Sequence, residues 1–368
     1  MESARFIGIP VNHNLVACKN NLNVHSDNCP GATCNFPWRA IRLMTLGIIY
    51  LTPSPVWYII DFMSKNNTIS TFELFNMFPN QESARQYLES RLWPNGVRCP
   101  HCGHDKTRIT VRKDGYYRCN ACKEDFTVRT GTVFERSHVP LHKWLYAMYM
   151  IVTARKGVSS LQLSKQIGVT QKTAWFMLQR LRVACGGKIE ALKGFVEVDE
   201  TFIGGKEQNK HAKKRLRDRH AEGKQTILGM RERGGKVKAM KIPDTEKVTL
   251  HKAILKHVDK DTILYTDQHR GYHGIKKWGY GHEKVKHSAK EYVRGMAHTN
   301  GIESVWSTVK RGFNGVYHNW SEKHCQRYIN EFMFRFNEGN CDLPTMSRIE
   351  SLVKKSKGKR ITYERLTA

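Results

Sequence analysis

The chain has 368 residues, and its 61 Lys and Arg outnumber its 33 Asp and Glu to give a formal net charge of +28. This excess excludes an ordinary near-neutral enzyme and favours a polyanionic partner, with nucleic acid preferred over a membrane surface. The length allows two or three domains with their own cores. Ten cysteines in a chain of this length do not indicate a disulfide scaffold, which favours a reducing compartment.

Residues 1–62 differ in character from the rest of the chain. They hold only four Lys/Arg and three Asp/Glu and show no sustained helix or strand period. The apolar stretch Ile41–Phe62 is interrupted by Pro53 and Pro55, so we expect no membrane span there. Met63 begins a polar segment that is followed by helix-like spacing. We therefore expect residues 1–62 to be an atypical N-terminal extension, with natural translation beginning at Met63.

The next segment, residues 63–95, is expected to be helical. Within it, Asn80–Trp93 opens with a capping residue and then follows helical spacing. Three apolar residues recur on one face of this predicted helix: Ala84, Leu88 and Leu92.

Four cysteines with metal-ligand spacing follow in residues 96–130. They form two Cys-x-x-Cys pairs separated by sixteen residues: Cys99, Cys102, Cys119 and Cys122. Four thiolates at this spacing suit one tetrahedral, structural Zn²⁺. Two disulfides and an iron–sulfur site are the alternatives, and a reducing compartment argues against the disulfides. We therefore expect a zinc ribbon.

Residues 138–186 carry the pattern of a helix-turn-helix region. Ser159 caps one predicted helix, Gly168 makes a turn, and Thr170 caps the next helix. In this motif the start of the second helix enters the major groove, whereas an ordinary helical hairpin is the alternative. The expected base contacts are Gln171, Lys172 and Thr173, and the expected phosphate contacts are Arg180 and Arg182.

The sequence Phe195–Gly205, FVEVDETFIGG, predicts a strand ended by a Gly-Gly pair. Alternation puts Glu197 and Asp199 on one face and Glu200 on the other. Carboxylates on such an apolar strand are costly to bury unless they meet a cation. An edge strand whose acids face water is the alternative. We rank Asp199 above its two acidic neighbours as a functional residue.

Two later acids extend this pattern. Asp267 ends a β-like run that starts at Thr262, and Glu303 falls in the first turn of a predicted helix that Asn300 caps. A capping box is therefore the alternative role for Glu303. Thirty-five residues separate the two acids, and Lys310 lies two helical turns beyond Glu303 on the same face.

This order, two Asp, a thirty-five-residue gap, Glu and then Lys seven positions on, resembles the DDE transposases and integrases. More narrowly, the phrases VEVDETFIGG, YTDQHRGY, HTNGIESVWSTVKRG and YINEFMFRFN resemble the insertion sequence 1595 family. The resemblance runs from about Phe75 to Asn337, most of the chain, and its motifs are specific.

The resemblance implies a multidomain α+β protein: a small zinc ribbon, a helix-turn-helix, and then a ribonuclease-H-like α/β catalytic core with a mixed sheet at residues 192–340. The implied catalytic residues, which would hold two Mg²⁺ or Mn²⁺ ions, are Asp199, Asp267 and Glu303. The implied contacts to the DNA end are Lys310, with Arg311 and Asn300 as weaker candidates. Trp306 is a further weak candidate, with a role in the core as the alternative.

The rest of the chain gives less specific expectations. Short strands are predicted at 226–231 and 236–242, and a helix at 248–257. The basic segment 206–224 is expected to be a mobile loop between the first two core strands. Residues 341–368 are expected to be a basic tail without a core pattern.

By this resemblance the protein is expected to bind the ends of its insertion sequence, cleave them with divalent metal and transfer them into target DNA. Its partners would be DNA and at least one further copy of itself, with no membrane. It would act near the nucleoid in a bacterial cytoplasm, or in the nucleus of a eukaryotic host. A non-catalytic DNA-binding regulator derived from a transposase is the alternative, and a nuclease that cuts without joining is a third.

Overall fold

The computed structural model describes residues 67–187, 190–205, 224–285, 298–339 and 343–367. The chain divides into two units, Met1–Phe62 and Met63–Ala368, and every described residue belongs to the second. The expectations for residues 1–62, and for nearly all of the basic segment 206–224, lie outside the described residues. In the described part of the chain, no helix is long and apolar enough to cross a bilayer.

Two helices, α1 (Thr71–Met77) and α2 (Gln81–Leu92), open the described chain. Asn80 accepts a hydrogen bond from the Ser83 backbone N–H at 2.9 Å, so the predicted cap of α2 is confirmed. The predicted apolar face is confirmed as well, because its three members are buried: Ala84, Leu88 and Leu92.

The ribbon is a three-stranded antiparallel sheet in the order β1 (Ile109–Val111), β2 (Tyr117–Cys119) and β3 (Asp125–Phe126). Tyr117 stacks on Phe126 with ring centroids 5.5 Å apart, and Trp93 packs edge-on against both rings. A sheet this short, with so small an apolar core, needs additional stabilisation such as a bound metal ion.

Three helices follow: α3 (Leu141–Thr153), α4 (Ser160–Ile167) and α5 (Gln171–Cys185). Both predicted caps are confirmed, because Ser159 accepts from the Gln162 N–H and Thr170 accepts from the Thr173 N–H. Gly168 between them has a φ of 62°, which a side chain with a Cβ rarely adopts. The helix, glycine turn and helix therefore form as the sequence predicts.

The core is a five-stranded mixed sheet made by β4 (Phe195–Ile203), β5 (Gln225–Glu232), β6 (Val237–Ile242), β7 (Ile263–Thr266) and β8 (Gly281–Lys284). The strand order is β6-β5-β4-β7-β8. The first three strands form an antiparallel meander, and β7 and β8 then add in parallel to β4. The predicted mixed sheet of a ribonuclease-H-like core is confirmed.

The central strand β4 is covered on both faces. Val196 and Val198 point into a cluster with residues of α6 (Lys247–His257). Ile203, on the opposite face, packs in a cluster with α7 (Asn300–Gly312) and α8 (Cys325–Glu338). Because β4 is buried on both sides, each acid on it must be satisfied or must serve a site.

Helix α8 also covers the outer edge of β6. Asn337 accepts from the Val237 N–H at 2.7 Å and donates to its carbonyl at 2.8 Å. Gln326 accepts from the Lys241 N–H at 2.8 Å. These amide side chains occupy the free backbone groups of β6, which would otherwise be open to pairing with another chain.

The expectation of a basic tail at 341–368 is wrong. Helix α9 (Thr345–Ser356) and a short helix α10 (Tyr363–Thr367) form there. Three apolar residues of α9 are buried in the same cluster as α2, α3 and α5: Ile349, Leu352 and Val353. The segment is rich in lysine, so its composition alone does not indicate that α9 has a buried apolar face.

The prediction that Arg180 and Arg182 contact phosphates is also wrong. Arg180 is buried, and its guanidinium donates to the carbonyls of Val133 and Glu135, each at 2.9 Å. Arg182 is 1% exposed and pairs with Glu331 of α8 at 2.6 Å. The two residues lie on opposite sides of α5, and both sides pack against the protein because that helix is buried on more than one side.

Candidate functional site

Asp199 lies in the middle of β4, opposite Gly229 of β5. A Cβ on Gly229 would lie 2.3 Å from the ring of Trp306, so only glycine leaves room for the indole there. The indole Nε1–H of Trp306 donates to the Asp199 carboxylate at 3.0 Å. This places Trp306 in the core and gives it a further role, because it orients Asp199.

Asp267 directly follows β7, the parallel neighbour of β4. Glu197 pairs with Tyr265 in this ladder, and Asp199 and Asp267 each lie two positions after these paired residues. The ladder itself ends at the Glu197–Tyr265 pair, and the two acids beyond it are close enough that the charge of Asp267, after burial, is the next cause of the raised pKa of Asp199. The Asp267 carboxylate also accepts the His269 N–H at 2.9 Å, which fixes its direction at the strand end.

Glu303 comes from the first turn of α7 and is exposed. The helix begins at Asn300 with Thr299 in the N-cap position, so the prediction that Asn300 caps it is wrong by one residue. The Thr299 hydroxyl donates to the Glu303 carboxylate at 2.8 Å. The Glu303 carboxylate therefore contacts the side chain of Thr299, one residue before Asn300, whose backbone amide it would contact in a capping box.

The three carboxylates are close enough to interact. The pKa of Asp199 is raised to about 6, chiefly by burial and then by the charges of Asp267 and Glu303, while the hydrogen bond from Trp306 opposes this shift. An anionic cluster of this kind is stabilised by a cation, and its oxygen donors suit Mg²⁺ or Mn²⁺. Two strands and a helix N-terminus that are distant in sequence thus supply three carboxylates whose charges interact, although among the described residues only the four cysteines have ligand atoms that all lie within 4.8 Å of one another.

Glu197 is buried but fully engaged. One carboxylate oxygen accepts from Arg233 Nε at 3.0 Å, and the other accepts from the Ile302 backbone N–H at 2.8 Å. A Cβ on Gly301 would lie 2.5 Å from this carboxylate, so the first turn of α7 approaches it closely. Glu197 therefore ties β4 to the start of α7, the turn that carries Glu303. Its sequence neighbours gave no signal of this role.

Glu200 lies on the other face of β4, as alternation predicts. The pKa of Glu200 is raised to about 7, chiefly by burial; the Tyr272 hydroxyl lowers it, and the charges of Asp267 and Asp199 add to the rise. Tyr272 is fully buried beneath this face. The sequence did not single out Tyr272, although it lies in the turn that follows Asp267.

The other residues predicted to bind the DNA end lie along α7. Asn300 and Lys310 are exposed, and Lys310 lies on the Glu303 side of the helix as predicted. Arg311 is exposed too, with its Nε donating to the Ser307 carbonyl at 3.2 Å. The two basic residues of α7 therefore lie together in its last turn, at the end away from Glu303.

At the start of α5, Gln171 and Lys172 are exposed. Lys172 lies over the ring of Tyr363 with its Nζ 4.9 Å from the centroid. Thr173 is half-buried, and its hydroxyl is 2.9 Å from that of Thr170. The first two side chains are open to a ligand, whereas that of Thr173 takes part in the cap.

The four predicted zinc ligands converge at one end of the ribbon. The sulfur atoms of Cys99, Cys102, Cys119 and Cys122 all lie within 4.8 Å of one another. Two of the separations are 3.7 Å, from Cys99 to Cys122, and 3.5 Å, from Cys102 to Cys119. A tetrahedral Zn²⁺ with bonds of about 2.3 Å needs sulfur atoms roughly 3.8 Å apart. The cluster therefore fits one structural zinc ion.

We expect Cys119→Ser to lower the zinc content from about one ion per chain to near zero and to unfold the ribbon, because the aromatic core is too small to hold it. Elemental analysis and near-UV circular dichroism would measure both changes. Cys325→Ala, at a buried cysteine outside the cluster, is the matched control and should keep its zinc. Equal zinc content in the two variants would contradict the assignment.

A mixed sheet in this order, with one acid on β4, another just after the neighbouring β7, and a zinc ribbon ahead of the sheet, defines a ribonuclease-H-like protein with a metal-binding accessory domain. The ISXO2-like transposase domain matches residues 191–337, and the transposase zinc-ribbon domain matches residues 79–125. The chain belongs to this family of transposases, as its motifs indicate. The zinc-ribbon match begins earlier than our expectation of residue 96, because it includes α2.

Two relatives extend these matches. An uncharacterized protein in transposable element ISH50 of Halobacterium salinarum is 28% identical over 274 residues, which are 70% of this chain and 91% of the relative. An uncharacterized transposase-like protein of Haemophilus influenzae is 30% identical over 125 residues, or 33% of this chain and 96% of the relative. Among solved structures, the Mos1 strand transfer complex aligns at 10% identity with a TM-score of 0.26, covering 59% of this chain and 79% of that chain.

Proposed function

We propose that this protein is the transposase of an insertion sequence, which binds the ends of its element and catalyses metal-dependent cleavage and strand transfer. The observation that carries the proposal is that Asp199, Asp267 and Glu303, which come from two strands and a helix, lie close enough for their charges to interact. Burial is the main cause of the raised pKa of Asp199, and the charges of Asp267 and Glu303 add to it. A regulator that only bound DNA would gain nothing from such a costly arrangement.

In this proposal Asp199, Asp267 and Glu303 hold two Mg²⁺ or Mn²⁺ ions. When bound, divalent ions supply Lewis-acid activation of the attacking oxygen and charge stabilisation of the leaving oxygen. Trp306 keeps the Asp199 carboxylate in one orientation through its N–H. Glu197 keeps the first turn of α7, and hence Glu303, against β4.

The chemistry proposed for DNA has two steps. Water attacks the phosphodiester at the end of the element and frees a 3′-hydroxyl, and that hydroxyl then attacks a phosphodiester of target DNA. No side chain needs to form a covalent intermediate. Lys310, exposed on the Glu303 side of α7, would hold the terminal phosphate by its charge.

The accessory domains would select the DNA in this proposal. Gln171 and Lys172, exposed at the start of α5, are positioned to reach base edges in a major groove. The excess of positive charge would supply affinity for the backbone. Because joining requires two ends, the working complex would contain at least two copies, acting on DNA in the cytoplasm of a bacterial host.

The test uses purified full-length protein, a labelled duplex carrying the end of the element, target plasmid, and Mg²⁺ or Mn²⁺. We expect joined products from the wild type and none from Asp267→Ala. Both proteins should bind the labelled end with similar affinity, because the proposed base contacts are on α5 and Asp267 follows β7.

A duplex with a scrambled end is the control for specificity. Binding of the end without nicking or joining by zinc-loaded wild type would overturn the proposed catalysis and favour the regulator. Nicking without joining would favour a nuclease. Joining that persists in Asp267→Ala would remove the acid cluster from the mechanism.

A further inference from the structure

A pocket with a volume of about 820 Å³ lies on the side of α6 that faces away from the sheet. Its walls are α6 and the 3-10 turn Ile275–Trp278. We call it the α6 pocket. The accessory domains and the acid cluster contribute none of its lining residues.

The α6 pocket exposes apolar side chains that the core does not need. Val248 is 76% exposed, Trp278 52% and Leu255 37%. The core-facing side of the same helix is already filled, because Leu250 and Ile254 are fully buried. Three large apolar side chains around one pocket are typical of a binding surface rather than of isolated surface residues.

Four lysines surround these apolar side chains, and none of the lining residues is acidic. They are Lys247, Lys252, Lys256 and Lys277. The charge calls for an anionic occupant. A second copy of this chain, itself at +28, would meet net repulsion, so a polyanion fits the pocket better.

A histidine belongs to the wall of the pocket. His251 lines the α6 pocket, is 6% exposed, and its buried Nε2 has no hydrogen-bond partner in the described part of the chain. The pocket therefore combines a ring for stacking and cations at the rim with a histidine in the wall.

The chain connects the α6 pocket to the acid cluster. Asp267 starts the segment whose Tyr272 and Ile275 are fully buried under α6, and the segment ends at Trp278 in the pocket. A ligand in the pocket would thus lie beside a segment that is rigidly packed between it and Asp267.

We propose that the α6 pocket binds an unpaired nucleotide of DNA, with the base against Trp278 and the flanking phosphates on the lysines. The proposal rests on the proposed function only for the choice of DNA over RNA. A base inside a duplex has both faces covered by its neighbours, so an exposed indole in a concave pocket suits an unstacked base. Cations around an aromatic platform form the usual arrangement for single strands.

The test measures fluorescence anisotropy of a labelled hexathymidylate, and of a short duplex, with the full-length zinc-loaded protein and no added Mg²⁺. We expect Trp278→Ala to weaken binding of the single strand about 5- to 100-fold while changing duplex binding less than about twofold. Lys252→Gln should lower the slope of log K against log salt by about 0.7 for the single strand. Phe72→Ala, at an aromatic residue 82% exposed elsewhere, should change neither affinity.

Crosslinking of 5-iodouracil in the hexanucleotide to Trp278, mapped by peptide mass, would support direct contact. Single-strand affinity unchanged in Trp278→Ala would overturn the proposal. Equal losses for single strand and duplex would overturn it too, as would Trp278-dependent binding of a polyglutamate peptide but not of the oligonucleotide. If wild type joins DNA ends but the pocket variants bind normally, only the pocket proposal fails. If Trp278-dependent binding is present without joining, only the catalytic proposal fails.

Discussion

Replacing Asp199 by Asn should abolish joining and at the same time stabilise the metal-free protein. Joining should fall at least about 1,000-fold, because losing one ligand of the site removes several kcal/mol of charge stabilisation in the reaction. Asn can still accept the Trp306 hydrogen bond, so the local packing is retained. The loss would therefore report charge and metal binding rather than a change of fold.

The stabilisation follows from the sign of the pKa shift. The pKa of Asp199 is raised from 3.8 to about 6 in the folded protein, so its ionised form is disfavoured there. Wild-type stability without metal should fall as the pH rises from about 4 to about 6, and Asn at this position removes that loss. At pH 7.5 the variant should gain on the order of 2–3 kcal/mol in unfolding free energy, and at pH 4 almost none.

Thermal melts with and without Mg²⁺ measure this directly. Mg²⁺ at about 100 times its dissociation constant should add roughly 2.7 kcal/mol to the wild type and far less to the variant. Glu283→Gln, at an exposed acid on β8 of the same sheet, is the control and should keep the Mg²⁺ response. An equal Mg²⁺ shift in Asp199→Asn and wild type would remove Asp199 from the metal site.

Replacing Glu331 by Ala should destabilise the protein by about 3–5 kcal/mol. Glu331 is fully buried in α8 and pairs with Arg182 of α5 and with Arg335. Burial by itself would raise the pKa of Glu331. The charges of Arg182 and Arg335 outweigh burial and hold this pKa below its usual value. Alanine would leave two buried guanidinium groups without their carboxylate.

Urea denaturation followed by fluorescence would measure the loss. Glu338→Ala on the same helix breaks a partly exposed pair with Lys355 and should cost no more than about 1 kcal/mol. Tyr317→Phe removes one hydrogen bond to Glu331 and should cost about 1 kcal/mol. If Glu331→Ala costs no more than Glu338→Ala, the network is not a structural link.

This network also affects the proposed function. It joins α5, which carries the exposed Gln171 and Lys172, to α8, which covers the core sheet. Weakening it should loosen the placement of the helix-turn-helix relative to the acids. Arg182, which was expected to contact phosphate, therefore forms part of the link between α5 and α8.

Local sequence determined a large part of this protein. The caps at Asn80, Ser159 and Thr170 and the turn at Gly168 follow from short-range hydrogen bonding and backbone sterics, which need no knowledge of the fold. The spacing of the four cysteines predicts their convergence, because each pair lies within one tight turn. Family motifs placed the mixed sheet and marked Asp199, Asp267 and Glu303 as a set.

Only the tertiary structure decided which charged residues are buried and what they contact. Arg182 and Lys310 look alike in sequence as basic residues on helices, yet one pairs inside the protein and the other is exposed. Glu197 and Asp199 occupy the same face of β4, yet Arg233 and the start of α7 neutralise only Glu197. The α9 helix and the α6 pocket likewise depend on which surfaces other elements cover. The physical reason is that the energy of a charge or an apolar side chain depends on its neighbours in space, and residues far apart in the chain supply those neighbours.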